Sequence, residues 1–181
     1  MTDIRCFVAV ELPESMREEI GRIEADLKVP GLRLVKPGLC HVTLKFLGDV
    51  PEKKAQKAME ALKGVKAAPF DLKVAGVGTF PGRSIRVVWL GLKGETWGLH
   101  MQVEDVLEPL GFEREKRKFS PHVTLGRVGR PNSETTQELI PKIARFSEED
   151  LGTFRVDRFY LKKSTLTREG AIYENLAEYD L

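Results

Sequence analysis

A mixed α+β fold in two similar lobes is the architecture that three observations predict. His41-Val42-Thr43-Leu44 recurs unchanged as His122-Val123-Thr124-Leu125, and each copy has a glycine at the same offset, Gly48 and Gly129. Helical and strand periodicities follow one another irregularly, as strand, helix, strand, then helix and a pair of strands, which is not the regular order of a βαβ series. Helical stretches flank the repeat in both halves. The expectation is a single domain over residues 1–181: two small, mainly antiparallel sheets with helices outside, the two histidine strands meeting along a cleft between the lobes.

Taken in order, Ile4 to Leu12 is rich in Val, Phe and Ile and reads as a strand that stops at Pro13. From Pro13 to about Lys28, Met16, Ile20, Ile23 and Leu27 recur at helical spacing, with the proline placed to start the helix. Gly31 ends it. Leu32 to Val35 is a short extended piece, Pro37-Gly38 turns, and the first histidine strand follows. Pro51 starts a second helix with the stripe Ala55, Ala58, Met59 and Leu62. Phe70 to Val77 and Ile85 to Leu92 are strands separated by the turn-rich Gly78-Thr79-Phe80-Pro81-Gly82. A third helix spans about Glu95 to Leu110, with Leu99, Val103, Val106, Leu107 and Leu110 on one face and Gly111 as its cap. The second histidine strand begins near Pro121. A weaker helical stretch covers Glu134 to Phe146, which Pro141 should break or restart, and strands at Phe154 to Leu161 and Ala171 to Tyr179 close the chain.

The repeat carries the chemistry. A tetrapeptide repeats by chance in roughly one chain of this size in ten, and the matching glycine lowers that to about one in a hundred. In the first copy His41, Thr43 and Lys45 alternate with Val42, Leu44 and Phe46, so His and Thr share one face of the strand while Val and Leu enter a core. A lone histidine on such a strand is ordinarily a hydrogen-bonded structural residue. Two identical ones facing one cleft form an acid-base couple, since imidazole gives and takes protons near neutrality.

Composition narrows the chemistry further. The formal charge is +2, and only two cysteines occur, Cys6 and Cys40, so no disulfide framework is expected. The opening residues lack the pattern of a signal peptide, and no apolar run approaches the roughly 18 residues that span a bilayer, so a cytoplasmic protein without membrane contact is expected. Metal chemistry fits poorly: there are three histidines in all, no Cys-x-x-Cys and no histidine pair at helical spacing. Cys40 beside His41 reads as core, and His100, at the edge of the third helix's apolar stripe, as structural. No phosphate-cradling glycine motif argues for a nucleotide cofactor, and none is expected.

Metal-free attack on a phosphodiester is the reaction that remains. One histidine takes a proton from the attacking oxygen and the other protonates the leaving oxygen, while hydroxyl or guanidinium donors hold the non-bridging oxygens. Thr43 and Thr124 are on the right faces to donate. Between Gly111 and Arg130 six cations (Arg114, Lys116, Arg117, Lys118, Arg127, Arg130) outnumber two anions (Glu113, Glu115), a local +4 that draws polyanions toward the second histidine.

These residues resemble a known family. Arg5 to Val10, His41 to Gly48, Phe119 to Arg127 and the closing Ser164-Thr165-Leu166 to Tyr173 are similar to the 2H phosphoesterases, in particular the RNA 2′,3′-cyclic phosphodiesterases also called 2′-5′ RNA ligases. The resemblance implies pseudo-symmetric halves around a cleft, no metal or cofactor, and opening of a terminal 2′,3′-cyclic phosphate on RNA or a nucleotide to a 2′-phosphate. It assigns His41 as general acid on the 3′ oxygen and His122 as the residue that activates water, with Thr43, Thr124 and Arg127 on the phosphate and Phe46 stacked on the terminal base. A monomer is expected. The chain departs from the family pattern with cysteine at position 40 and alanine at position 171.

Phe46 and Arg127 each lie five residues beyond their histidine, so strict alternation turns both away from the cleft. If they line it, each strand bulges or ends between its threonine and that position. Joining of RNA ends through a 2′-5′ linkage is the same reaction reversed, with a 5′-hydroxyl in place of water. Other readings are a small cyclic nucleotide as substrate, and a non-catalytic module that binds RNA ends.

Overall fold

The structure, a computed structural model, describes residues 3–181. In chain order the elements are β1 (Asp3–Glu11), α1 (Glu14–Leu27), β2 (Leu32–Leu34), β3 (His41–Pro51), α2 (Glu52–Leu62), β4 (Phe70–Thr79), β5 (Val87–Lys93), α3 (Thr96–Leu107), β6 (His122–Val128), α4 (Ser133–Arg145), β7 (Asp150–Val156), β8 (Arg158–Thr167) and β9 (Gly170–Asp180). Short 3₁₀ turns at Pro37–Leu39 and Glu108–Leu110 precede the loops that lead to each histidine.

Apolar spacing and capping account for the helices. Met16, Ile20, Ile23 and Leu27 give α1 one buried face, and Ala55, Ala58 and Leu62 do the same for α2. The segment after α3 ends at Gly111, whose φ of 77° is the left-handed conformation that glycine adopts without strain. Asn132 caps α4 by accepting a hydrogen bond from the Thr135 amide at 2.8 Å. Pro141 does not break α4. The carbonyl it would have bonded, that of Gln137, belongs to an exposed residue, as Pro141 itself does, so water can satisfy it.

The expected two sheets are one hydrogen-bonded path, in the order β7-β4-β5-β6-β3-β1-β8-β9, with β2 attached to β6. Every pairing is antiparallel. The path has two four-stranded halves, β9-β8-β1-β3 and β6-β5-β4-β7, each with its histidine strand at the inner edge. Between the halves the register consists of the single pair Val42↔Val123. α2 and α3 pack against the β3 half, and α4 packs against β4 with α1 beside it. Beneath both halves lies one apolar cluster that includes Val42, Leu44, Val123 and Leu125.

The run expected as one strand, Phe154 to Leu161, is the end of β7 and the start of β8, parted by Asp157 alone. β7 lies at the outer edge of one half and β8 in the other, so the sheet curls back toward itself. The chain changes halves there without glycine or proline, and no turn signal marks the place.

Candidate active site

Val42 and Val123 point into the core, both fully buried. Side chains alternate along a strand, so His41, Thr43, His122 and Thr124, which flank this pair, emerge together on the opposite face. The 3.7 Å contact from the Cys40 thiol to the Thr124 carbonyl shows how closely the strands run.

Both histidines are held the same way. His41 Nδ1 lies 2.8 Å from the Leu39 carbonyl, and His122 Nδ1 lies 2.8 Å from the Ser120 carbonyl, two residues back in each case. A carbonyl can only accept, so Nδ1 carries the hydrogen and donates it, which leaves Nε2 as the atom that exchanges protons. Burial lowers the pKa of each ring below its ordinary value, against the opposing effect of that backbone hydrogen bond. Arg127 lowers both as well, which places its guanidinium within electrostatic reach of both rings.

Bulges bring Phe46 and Arg127 to this face. In the β1–β3 ladder Val8 and Ala9 oppose Lys45 and Thr43, so Leu44 is an extra residue; in the β5–β6 ladder Val88 and Trp89 oppose Gly126 and Thr124, so Leu125 is extra. The bulge falls three residues after each histidine. Leu44 and Lys45 both turn inward, as do Leu125 and Gly126, and the next residue returns to the histidine face. Lys45, expected beside His41 and Thr43, is therefore buried and bonded to Glu104 instead. Phe46 is 67% exposed, with its ring 6.2 Å from Phe7, whose ring is 4.8 Å from His41.

Residues outside the repeat complete the surroundings. Tyr173 meets the His41 ring edge-on at 5.2 Å, and Phe80 meets His122 in the same manner at 5.0 Å. Glu11 stands opposite His41 in the ladder and receives hydrogen bonds from Lys162 and Asn175. Burial alone would raise the Glu11 pKa, yet these partners and Arg17 hold it below the ordinary value. Phe80, an aromatic in a Pro-Gly turn, offered a visible signal in sequence; Glu11, Lys162 and Asn175 meet only through strand pairing.

The remaining expectations concern residues away from the chemistry. Cys40 is 3% exposed and burial pushes its thiol up to about 12, so it is core. His100 Nδ1 bonds the Leu44 carbonyl at 2.9 Å and its ring stacks on Phe119 at 3.9 Å, a structural histidine. Ala171 sits in the β8–β9 hairpin opposite Leu166. Among the described residues no cluster of three His, Cys, Asp or Glu is arranged to hold a metal, and no helix is long and apolar enough to cross a membrane.

The "LigT like Phosphoesterase" family model matches residues 10–89 and 95–173, one histidine strand in each segment. An RNA 2′,3′-cyclic phosphodiesterase of Archaeoglobus fulgidus is 40% identical, across 98% of this chain and 100% of that protein. One of Methanocaldococcus jannaschii is 34% identical, across 97% and 100%. The crystal structure of E. coli LigT complexed with 3′-AMP superimposes with a TM-score of 0.79 at 26% identity, covering 99% of this chain and 98% of that one. The α+β antiparallel fold with two histidine strands, and the match over most of the chain, lead to one conclusion: this protein belongs to the LigT-like phosphoesterases, the 2H family.

Proposed function

We propose that the chain is an RNA 2′,3′-cyclic phosphodiesterase that works by two-histidine acid-base catalysis. The observation that carries this reading is the pair of imidazoles on either side of Val42 and Val123, each with Nδ1 fixed by a backbone carbonyl and Nε2 left free. The full-length relatives bearing that name support the substrate class.

In this scheme His122 Nε2 takes a proton from water, whose oxygen attacks phosphorus. The bond from phosphorus to the 3′ oxygen breaks, and His41 Nε2 gives its proton to that oxygen. The products are a 2′-phosphate and a free 3′-hydroxyl, and solvent resets both rings. Thr43, Thr124 and Arg127 hold the non-bridging oxygens as charge develops, and Phe46 stacks on the terminal base. The two rings supply both proton transfers, so no metal or cofactor has a step. Both strands come from one chain and share one core, which supports a single catalytic domain over residues 1–181; in this proposal it acts as a monomer in the cytosol.

The test is incubation with a short RNA ending in a 2′,3′-cyclic phosphate, in excess EDTA, with the product identified by mass spectrometry and chromatography. A 2′-phosphate is expected. A 3′-phosphate, restoration by metal of a chelated enzyme, or binding without turnover would each contradict the scheme.

A further inference from the structure

The two halves of the sheet correspond strand for strand, yet the surfaces beside the two histidines differ. Opposite Thr124 stands Trp89, whose ring lies so close over Gly78 that a Cβ there would meet it at 2.5 Å. Opposite Thr43 stands Ala9, and opposite His41 stands Glu11 where the other half has Gly91. Trp89 fills its side. On the His41 side the space is a cavity of about 320 Å³, lined by Glu11, Arg17, His41, Lys162, Tyr173 and Asn175 and by residues 38–40.

What lines this cavity selects an anion. Lys162 is 6% exposed; its ammonium bonds Glu11 and, at 2.5 Å, the Asn175 side-chain oxygen, so one of its three hydrogens is unspent. The Arg17 Nε is buried without a partner among the described residues, and the Arg17 terminal nitrogen is 4.0 Å from Glu11. Among the residues that line the cavity, Arg17 and Lys162 against Glu11 leave a net charge of +1, while Glu14, exposed and outside the lining, takes one Arg17 terminal nitrogen at 3.3 Å. Unused donors and surplus positive charge, in a hollow continuous with a catalytic ring, are the complement of a phosphate oxygen.

We propose that this cavity is a subsite for the phosphodiester on the 5′ side of the terminal nucleotide, with Arg17 and Lys162 as its donors. The inference rests on the reading of the site given above. There His41 protonates the 3′ oxygen, so the terminal ribose and the strand leading to it lie on the His41 side, where the cavity is. Trp89 closes the opposite side. The subsite makes the enzyme prefer an RNA end to a nucleoside cyclic phosphate.

The experiment compares kcat/KM for cytidine 2′,3′-cyclic phosphate, for the dinucleotide CpC ending in the same cyclic phosphate, and for that dinucleotide with a neutral methylphosphonate linkage. Wild-type enzyme is expected to favour the charged dinucleotide over the neutral one by about tenfold, the scale of one charge-assisted hydrogen bond. Arg17→Gln is expected to shrink that ratio toward one, and the two losses should not add, because they remove opposite partners of one contact. Equal turnover of charged and neutral dinucleotides by the wild type, with the mononucleotide still hydrolysed, overturns the subsite alone; this arm needs no variant and survives an Arg17→Gln protein that fails to fold. An undiminished ratio in a folded Arg17→Gln protein also overturns it. Failure of the wild type to hydrolyse any of the three overturns the catalytic reading, and the subsite with it.

Discussion

Lys45 and Glu104 form an ion pair at 2.7 Å with side chains only 5% and 2% exposed. Lys45 also donates to the Glu113 carbonyl at 2.8 Å, while the Glu115 amide donates to Glu104 at 3.4 Å. The pair thus ties β3 and α3 to the basic loop that leads to His122. Lys45→Met should destabilise the protein by about 3–5 kcal/mol, because it strands a buried carboxylate. Adding Glu104→Leu should return part of that loss. Urea denaturation of the wild type, the single variant and the double variant decides this, and a double variant no better than the single one contradicts it.

The division of labour between the histidines is open to a leaving-group test. His41→Ala and His122→Ala should each cost on the order of 10²–10⁴ in rate, and the double variant should be scarcely worse, since the two act as a unit. A p-nitrophenyl ester needs little protonation on departure. It should rescue His41→Ala far more than His122→Ala. Equal rescue would overturn the roles, and full activity in either single variant would overturn the site.

Both rings titrate below their ordinary range, chiefly through burial. The unfolded chain takes up those protons near pH 6.5, so below that value it binds more protons than the folded one. Stability attributable to the two histidines therefore falls as pH drops through about 6.5 and the folded-state values beneath it. The difference in unfolding free energy between wild type and the His41→Gln, His122→Gln protein, measured at pH 7 and pH 5, should move against the wild type at pH 5. No movement would contradict the depressed values. Arg127→Gln removes a cation that lowers both rings, so both limbs of the kcat/KM profile should shift to higher pH.

Phe46 is 67% exposed, and its removal should change stability little. If it stacks on the terminal base, Phe46→Ala should cost about 1–3 kcal/mol of binding, read as a raised KM at an unfolding midpoint near that of the wild type. A large stability loss with unchanged KM would make it a packing residue.

Much of this was legible in the chain. Helix starts at Pro13 and Pro51, the stop at Gly111, and the placing of Cys40 and His100 in the core all follow from local chemistry. The parity of Phe46 and Arg127 asked for a bulge or a strand end between each threonine and that position, and the structure answers with bulges at Leu44 and Leu125. What stayed hidden depends on contacts between distant residues. Lys45 turns inward only because Leu44 is extra and Glu104 waits on α3. Asp157 divides two strands because the sheet curls, and no residue type announces that. Lys162, Glu11 and Asn175 converge from three strands of the β3 half.

The unequal partners of the two threonines, Ala9 and Trp89, have a consequence for how RNA is met. A perfectly twofold cleft would accept a phosphodiester either way round, and half of all productive-looking encounters would present each imidazole with the wrong oxygen. With the proposed subsite, a tryptophan walling one side and a charged hollow on the other would make the slot one-way: the strand would enter along its own 5′-to-3′ direction, and reversed ends would be turned away before any proton moves.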